Sequence, residues 1–450
     1  MEDTIVAIST AVATGAISII RLSGNEAIEI VNRCFKGKDL TKVPSHTINY
    51  GYIVDNGELI DEVLVSIMKK PKTFTTEDVV EINCHGGITT TNRILETMLN
   101  NGARLAEPGE FTKRAFLNGR IDLIESESIM DIVNSKSDEA RKMALSGVEG
   151  KISTLVTNFR ESLKQLLSSI EVNIDYPEYY DIEVVTRNDI SKNISEMKEK
   201  LFILINESKD ANIIKNGIKT IIIGKPNVGK SSILNKLLQQ EKAIVTDIPG
   251  TTRDIVEGEI YLDGILLNII DTAGIRKTED VVEKIGVEKS LSLIEEADLV
   301  IVVLNNNSEL TDEDKTILEK TKNTQRIIAI NKTDLENKLQ FSDNLDNVVR
   351  TTTSTIDGIE PLRKKIKELF NTEQLKTRDY TYLSSSRQIS LAKRAYQSLI
   401  SAEEALKNDM PIDMIEIDLK ECFELLGEII GITYSDEIID NLFKNFCVGK

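Results

Sequence analysis

The sequence predicts a multidomain protein with an α+β domain at the N-terminus, an all-α domain, and an α/β domain inserted into the all-α domain. Three differences in pattern along the 450 residues lead to this prediction. Residues 4–119 mix extended apolar runs with short helical stretches. Residues 217–370 alternate β-rich runs with amphipathic stretches, which is typical of βαβ units on a parallel sheet. Residues 120–212, and those after residue 375, carry apolar residues at helical spacing.

The N-terminal domain shows its strands as apolar runs at residues 16–20 and 62–67. Asn56 and Gly57 lie between two extended runs, and this dipeptide favours a two-residue hairpin turn. The sequence therefore predicts a β-hairpin that turns at residues 56–57.

The two helical segments are most simply explained as one domain that the α/β domain interrupts, because insertion is tolerated where chain ends lie close together. We therefore expect an N-terminal domain at 1–119, the first part of the helical domain at 120–212, the inserted domain at 213–373 and the second helical part at 374–450.

The composition is that of an ordinary soluble globular protein, with 40% hydrophobic and 28% charged residues. No apolar run approaches the roughly 18 residues that a membrane span needs, and the N-terminus is acidic where a signal peptide would be basic. The cysteines are scattered without a C-x-x-C pair, which argues against a disulfide framework or a zinc site. We expect a cytoplasmic protein without membrane contact.

The net charge of −18 bears on possible partners. A protein that grips nucleic acid by itself usually has a basic surplus that neutralises phosphates. Any RNA role of this chain is therefore expected to need a more basic partner.

The inserted domain begins with a phosphate-binding motif. Residues 224–231, GKPNVGKS, match G-x-x-x-x-G-K-[ST] between a predicted strand and a predicted helix. Glycines let backbone N–H groups face phosphate oxygens, Lys230 can reach the β- and γ-phosphates, and Ser231 can bind magnesium. The predicted nucleotide contacts here are Asn227, Val228, Gly229, Lys230, Ser231 and Ser232. Alone, such a match could arise by chance or belong to an ATPase.

Two further motifs remove most of that doubt, and the second indicates guanine rather than adenine. Asp271 follows the strand-like run 265–270, where it can lie near magnesium, and Gly274 three residues later can lie near the γ-phosphate. Asp334 ends an Asn-Lys-Thr-Asp motif after the run 326–330, and its carboxylate can accept two hydrogen bonds that guanine offers and adenine does not. The predicted contacts are Asp271, Thr272, Ala273, Gly274, Asn331, Lys332 and Asp334. The alternative for Asp334 is an acid in a surface turn.

A switch loop is expected between these motifs, at residues 246–254. Such a loop needs a threonine that binds magnesium when the γ-phosphate is present and releases it after hydrolysis. Thr252 is the first choice and Thr251 the second. The alternative is an unremarkable Gly-Thr loop.

The residue after Gly274 departs from the Ras-like pattern, because Ile275 stands where Ras-like GTPases place the glutamine that orients water. Another group must then orient the water. The acids available are Glu279, Asp280, Glu283 and Glu288. Arg253 and Arg276 are candidate arginine fingers, with surface ion pairs as the alternative.

Motifs outside the inserted domain carry a resemblance to a known family. They are residues 3–7 (DTIVA), 19–24 (IIRLSG), 74–81 (FTTEDVVE), 85–87 (HGG), 108–120 (PGEFTKRAFLNGR), 175–178 (DYPE) and 447–450 (CVGK). With the GTPase motifs, the sequence resembles the MnmE (TrmE) family of tRNA-modifying GTPases over essentially its whole length.

The resemblance implies an N-terminal domain that binds 5-formyl-tetrahydrofolate or a related one-carbon folate and forms a homodimer, and an inserted Ras-like P-loop G domain. It also implies an FAD-binding partner, in a hetero-oligomer that adds a carboxymethylaminomethyl-type group to C5 of the wobble uridine of certain tRNAs. The folate positions match Arg21, Glu81, Arg120 and Lys450. Position 120 is often lysine in the family, and arginine keeps the charge with another shape.

In this family a potassium ion replaces the arginine finger, and Glu283 matches the acid that orients water. The potassium ligands match Asn227, Thr246, Ile248 and Thr251. The loop's matched nucleotide contacts are Thr246, Asp247, Ile248, Pro249, Gly250, Thr251 and Thr252. A later guanine-contacting segment, usually Ser-Ala-Lys, is here Thr352-Thr353-Ser354.

Cys447 stands four residues from the end, where it could suggest lipidation, but Gly449 and Lys450 fit a prenylation box poorly. The resemblance instead implies that this segment reaches the folate site. Cys447 is then a nucleophile or packs the segment, since an ordinary thiol with a pKa of about 8.5 needs a nearby cation to be reactive. His85 is likewise catalytic or a turn residue.

Two functions from different classes follow. The first is a GTP-hydrolysing tRNA modification enzyme. The second is a regulatory GTPase switch, for example in ribosome assembly, which explains the inserted domain but not the N-terminal motifs.

Overall fold

The computed structural model describes residues 3–175, 186–240, 256–262, 265–270, 294, 297–340, 345–370, 381–434, 436–444, 446 and 449. The chain forms two units. The first comprises Met1–Met130, Gly147–Leu201 and Ser390–Lys450, and the second comprises Asp131–Ser146 and Phe202–Ile389. The four-segment domain division expected from the sequence stays a prediction.

The elements are numbered in chain order. The strands are β1 (Ile5–Ile8), β2 (Ile17–Ser23), β3 (Phe35–Lys36), β4 (Thr47–Asp55), β5 (Glu58–Met68), β6 (Val79–His85), β7 (Arg104–Leu105), β8 (Ile218–Ile223), β9 (Val256–Leu262), β10 (Ile265–Ile270), β11 (Leu299–Asn305), β12 (Arg326–Asn331) and β13 (Val348–Arg350). The helices are α1 (Ala27–Cys34), α2 (Ile88–Asn100), α3 (Glu110–Leu117), α4 (Leu123–Asn134), α5 (Asp138–Val148), α6 (Lys151–Asp175), α7 (Arg187–Asn216), α8 (Lys230–Gln240), α9 (Asp312–Lys320), α10 (Glu360–Leu369), α11 (Ser386–Lys407), α12 (Ile412–Ile430) and α13 (Asp436–Phe443).

A seven-stranded sheet in the order β3-β4-β5-β6-β2-β1-β7 organises the first unit. The strands alternate buried and exposed side chains, so one face forms a core with α1 and α2. The predicted hairpin is confirmed: Asp55 pairs with Glu58, and the two turn residues, Asn56 and Gly57, have φ values of 48° and 87°. Positive φ at both positions is typical of a type I′ turn.

Long helices complete the first unit. The α6 helix packs along α12, where the guanidinium of Arg160 stands 4.0 Å from the ring centroid of Phe423. An ion pair of 2.9 Å joins Lys198 of α7 to Glu403 of α11. The predicted fold class, which combines an α+β N-terminal domain, a helical domain and an α/β G domain, is confirmed.

The second unit is built on a six-stranded sheet in the order β13-β12-β11-β8-β10-β9. Among the described strands of this six-stranded sheet, only β9 runs antiparallel to its neighbour. Six of the seven residues of β11 are buried, because hydrophobic clusters cover both faces of the sheet. Since β8, β11 and β12 are parallel, their carboxyl ends lie at one edge of the sheet. The nucleotide motifs follow these ends.

Within the described ranges, no helix is long and apolar enough to span a bilayer. In the same ranges, His, Cys, Asp and Glu residues form no group of three or more that could hold a metal ion.

Candidate functional site

The phosphate loop, residues 224–231, leaves β8 and enters α8 at Lys230. Its backbone turns sharply, with φ of 149° at Gly224, 62° at Asn227 and 103° at Gly229. At Gly229 a Cβ atom would stand 2.2 Å from Nδ2 of Asn331, so only glycine fits there. The curved backbone ending at a helix N-terminus can direct N–H groups at phosphate oxygens.

Lys230 folds back over this loop. Its Nζ donates hydrogen bonds of 2.7 Å to the carbonyl oxygens of Gly224 and Lys225. Ser231 and Ser232 follow in the first turn of α8 and are exposed. The ammonium group and the hydroxyl of Ser231 thus lie beside the loop, where phosphate and a magnesium ion would be bound.

The predicted guanine-recognition loop, residues 331–335, is joined directly to the phosphate loop. Nδ2 of Asn331 donates to the carbonyl oxygen of Val228 at 2.9 Å, and Asn331 is fully buried. Lys332 has a φ of 61°, and its Nζ donates to the carbonyl oxygen of Asn227 at 2.7 Å. These two bonds fix the distance between the sites for base and phosphate.

Asp334 is exposed, and a hydroxyl group orients it. Thr352 Oγ1 donates to Oδ1 of Asp334 at 2.6 Å and lies 2.7 Å from Oγ of Ser354. The hydrogen bond from Thr352 lowers the pKa of Asp334 below its usual value. The carboxylate is therefore ionised at neutral pH and can accept hydrogen bonds from guanine. Thr352 supplies this hydroxyl although the segment departs from Ser-Ala-Lys.

Asn306, which no sequence motif indicates, supports the loop at residues 331–335. Its backbone N–H donates to the carbonyl oxygen of Asn331 at 2.9 Å, and its Nδ2 donates to that of Leu335 at 3.0 Å. The carbonyl oxygen of Asn306 accepts from the N–H of Lys338 at 2.9 Å. One buried asparagine thus holds both ends of the guanine-recognition loop. The signal was a run of three asparagines, 305–307, directly after the β11 pattern.

Several predicted site residues lie outside the described residues. They are Thr246, Asp247, Ile248, Pro249, Gly250, Thr251, Thr252, Asp271, Thr272, Ala273, Gly274, Glu283, Cys447 and Lys450. Their roles stay predictions.

A second candidate site lies in the first unit, around Arg21 and Glu81. These residues face each other across β2 and β6, and Nε and Nη2 of Arg21 each lie 2.8 Å from Oε1 of Glu81. The guanidinium also stands 5.8 Å from the ring centroid of Phe111. A cation and a carboxylate are therefore fixed side by side on the sheet.

The C-terminal segment reaches this ion pair. The carbonyl oxygen of Gly449 accepts from Nη1 of Arg21 at 3.2 Å and from Oγ of Ser9 at 3.1 Å. Gly449 has a φ of 88°, and a Cβ atom there would stand 2.5 Å from the carbonyl oxygen of Ile8. Glycine is thus required where the chain meets β1, and residues about 430 positions apart form one site.

Arg120 lies at the edge of the same region. Its guanidinium stacks 5.0 Å from the ring centroid of Phe74, which packs in one hydrophobic cluster with Phe111. Arg120 also lines a cavity of about 480 Å³ between residues 116–125 and 430–432. Burial raises the pKa of the carboxyl groups of Asp122 and Glu125, which line this cavity.

Arg114, in the motif at 108–120, lies at the centre of a cluster of ion pairs. Its side chain is completely buried, and it donates to Oε2 of Glu77 at 3.1 Å, to Oδ1 of Asp3 at 2.8 Å and to Oε1 of Glu110 at 3.0 Å. Three carboxylates around one guanidinium tie the N-terminal segment to α3 and to the segment before β6.

His85 is paired with an acid. Its Nδ1 lies 2.7 Å from Oδ1 of Asp61, and its backbone N–H donates to Oδ2 at 2.8 Å. The hydrogen bond with Asp61 raises the pKa of His85 above its usual value. Both bonds tie the end of β6 to β5, and the two roles predicted for His85 stay predictions.

The described thiols are poorly suited to nucleophilic chemistry. Cys34, Cys84 and Cys422 are buried and free. Burial raises the pKa of Cys34 to about 11 and that of Cys422 to about 12, and it also raises the pKa of Cys84.

The fold and the first site define a class: a P-loop guanine-nucleotide-binding protein with large additional domains. Comparison with known proteins gives the family. A model described as "GTP-binding protein TrmE N-terminus" matches residues 4–120, and one described as "MnmE helical domain" matches residues 123–447. The chain belongs to the MnmE family of tRNA modification GTPases.

Relatives match over the whole chain. The tRNA modification GTPase MnmE of Streptococcus thermophilus is 51% identical over 449 residues, which cover 100% of this chain and 98% of the relative. That of Staphylococcus aureus strain bovine RF122 / ET3-1 is 50% identical over 456 residues, covering 100% and 99%. The solved G domain of the T. maritima FeoB iron transporter is 28% identical and covers 34% of this chain and 97% of its own, with a TM-score of 0.24 that adds nothing to the assignment.

Proposed function

We propose that this chain hydrolyses GTP in its second unit and uses the reaction in tRNA modification. The observation that carries the proposal is the bonding of the guanine-recognition loop to the phosphate loop by Asn331 and Lys332. Lys230 would bind the β- and γ-phosphates, and Asp334 the guanine. Exposed Ser231 fits a magnesium ligand, with Thr252 and Asp271 as its expected companions. Magnesium would neutralise phosphate charge.

The proposal includes a potassium ion in place of an arginine finger. Asn227 fits a ligand role because its side chain is exposed on the phosphate loop. The expected companions are Thr246, Ile248 and Thr251. Bound there, potassium would supply positive charge to the reacting phosphates, while Glu283 would orient the attacking water.

A one-carbon folate, 5-formyl-tetrahydrofolate or a related form, would bind at the second site. The pair Arg21–Glu81 offers a donor and an acceptor side by side, as the edge of a pterin ring requires. Arg120 and Lys450 would hold the anionic glutamate part. Cys447 would lie near the one-carbon group, either as a nucleophile or as a packing residue.

A homodimer would form through the N-terminal sheet. Its face opposite α1 and α2 leaves apolar side chains exposed, from 46% for Leu64 to 69% for Ile48, with Ile17 and Tyr50 between these values. Sedimentation of the full chain tests this dimer.

The modification itself would be a carboxymethylaminomethyl-type addition to C5 of the wobble uridine, made in the cytoplasm with an FAD-dependent partner. The charge of −18 supports a separate, more basic partner for tRNA. Mass spectrometry of tRNA nucleosides from a deletion strain tests the function. Unmodified wobble uridine is expected, and normal modification would leave the regulatory switch as the function.

The potassium mechanism has its own test. GTP hydrolysis by the full chain should be much faster in potassium than in sodium at equal ionic strength. Equal rates would exclude the mechanism and make Arg253 or Arg276 the candidate finger.

A further inference from the structure

Lys225, the second residue of the phosphate loop, makes contacts that the nucleotide motifs do not explain. Its Nζ lies 2.6 Å from Oδ2 of Asp314 and donates to Oγ1 of Thr311 at 2.9 Å. Thr311 and Asp314 belong to the start of α9, the helix after β11. The side chains of Lys225 and Asp314 are 16% and 4% exposed, so the ion pair is largely shielded from water.

Asp314 is fixed independently of Lys225. Its Oδ2 accepts from the N–H and the hydroxyl of Thr311 at 3.0 and 2.8 Å, and together the two residues form a capping box. Its Oδ1 is buried and has no hydrogen-bond partner among the described residues. A buried carboxylate in such a position needs a compensating cation, and Lys225 is the cation that contacts it.

The same lysine also holds Lys230. The carbonyl oxygens of Gly224 and Lys225 both accept from Nζ of Lys230 at 2.7 Å. The position of Lys225 therefore sets both the start of the loop backbone and the place of the phosphate-binding ammonium group. Without Lys225, the loop would lose its anchor, and the phosphates would lie near an uncompensated carboxylate.

We propose that Lys225, held by Asp314 and Thr311, is a positioning residue that fixes the phosphate loop for the diphosphate and triphosphate parts of GDP and GTP. The proposal rests on the proposed GTP function. It assigns the capping box of α9 a role in nucleotide binding, through the loop backbone and through charge compensation.

The test is nucleotide binding by the full chain with magnesium, measured with the fluorescent analogues mant-GDP and mant-GTP. Lys225→Met should weaken both by about tenfold, which corresponds to about 1.4 kcal/mol. Guanosine, measured by displacement of mant-GDP, should bind within about twofold of wild type because it has no phosphate. Lys225→Arg should recover most of the affinity, since a guanidinium can also bridge Asp314 and Thr311.

The control is Lys315→Met, which removes an exposed Lys–Asp pair on α9 without touching the phosphate loop. It should bind all three ligands as wild type does. If Lys225→Met misfolds because Asp314 is left unpaired, the double variant Lys225→Met with Asp314→Asn removes that charge. It keeps the acceptor for Thr311 and should show the same phosphate-selective loss.

Wild-type affinity of Lys225→Met or of the double variant for GDP and GTP overturns the positioning role. An equal loss for guanosine also overturns it, because the defect would then be general. A wild-type chain that binds neither mant-GDP nor mant-GTP overturns the proposed function as well, so the two failures are distinguishable.

Discussion

The two candidate sites hold their charges in opposite ways. At the nucleotide site, the polar groups that would meet the ligand belong to loops at the ends of β8 and β12, and Asp334 is exposed. At the second site, Arg21 is already bonded to Glu81 and to the carbonyl oxygen of Gly449. A ligand of the first site meets Lys230, whose ammonium group is bonded to carbonyl oxygens of the loop, whereas a ligand of the second must replace or extend an ion pair between two side chains.

The two units also differ in the interactions that stabilise them. In the second unit, β11 is buried on both faces and pairs with β8 and β12, while uncharged carbonyl oxygens accept the side-chain hydrogen bonds that hold the loops. The first unit instead contains a completely buried arginine among three carboxylates. Removing the charge of the buried Arg114 should therefore disturb the first unit's fold, whereas removing the charge of the exposed Asp334 should change only the ligand affinity of the second.

The largest effect is expected for Arg114→Met. Arg114 is the cation that contacts the largely buried carboxylate of Glu77, whereas Asp3 and Glu110 keep their ion pairs with Arg104. Leaving the carboxylate of Glu77 without this partner should cost about 3–5 kcal/mol. Hydrogen–deuterium exchange of peptides from β2 and β6 should report this loss of protection, while peptides from β8 and β12 keep theirs. Arg33→Met is the control, since the Arg33–Glu26 pair is exposed and contributes about 0–1 kcal/mol. Unchanged protection of β2 and β6 would contradict the assignment of stability to this cluster.

Asp334→Asn should have the next largest effect, and only on the ligand. Losing hydrogen bonds to a charged acceptor should weaken GTP binding by about 1.5–3 kcal/mol. Xanthosine triphosphate, whose base edge has the complementary pattern, should then bind better than it binds to wild type. Isothermal titration measures both, with Asp312→Asn as a matched change of an acid that is 98% exposed. A variant with wild-type GTP affinity would remove Asp334 from the site.

The two sites also differ in how much of each the sequence could predict. The nucleotide loops were predictable because backbone geometry does the binding, and a strand, a loop and a helix follow one another within a few residues. Asn306 was missed because its bonds run to another loop and no motif spacing marks it. The second site joins Ser9, Arg21 and Gly449, which are far apart in sequence. Only the family resemblance could bring them together.

Arg114 shows that recognising a motif does not give the role of each residue in it. Its motif was recognised, yet a motif does not distinguish a ligand contact from a buried ion pair. That distinction depends on the acids at Asp3 and Glu77, which the fold supplies from elsewhere.

Gly449→Ala tests whether the C-terminal segment serves only the second site. The substitution combines a φ of 88° with a Cβ atom 2.5 Å from Ile8 O, and a strained residue of this kind costs about 1–3 kcal/mol. Binding of 5-formyl-tetrahydrofolate, followed by titration calorimetry, should weaken accordingly, while GTP hydrolysis stays at the wild-type rate. Gly57→Ala is the control, because Gly57 has a φ of 87° but no atom within 4 Å of the added Cβ.

Removal of residues 447–450 should give the same pattern and abolish wobble-uridine modification in cells. Cys447→Ser then separates the two roles of the thiol. Loss of modification with folate binding retained supports a nucleophile, and full modification leaves packing. A truncated chain that modifies tRNA normally would end the assignment of this segment to the second site.

The smallest effect is expected at His85, where an exposed pair with Asp61 lies on the same sheet as Arg21. Its hydrogen bond with Asp61 raises the pKa of His85 above the ordinary value of about 6.5. A raised pKa in the folded state means that the pair contributes stability fully below the pKa of the unfolded chain. That contribution is lost as the pH rises through the folded pKa. NMR titration can follow this because the chain has only two histidines. Asp61→Asn should lower the pKa of His85. A pKa that does not move would show that the pair does not form.

His85→Gln then decides between the two roles of His85. If His85 is a turn residue, tRNA modification stays intact, because glutamine can still hydrogen-bond Asp61. If His85 is catalytic, modification is lost.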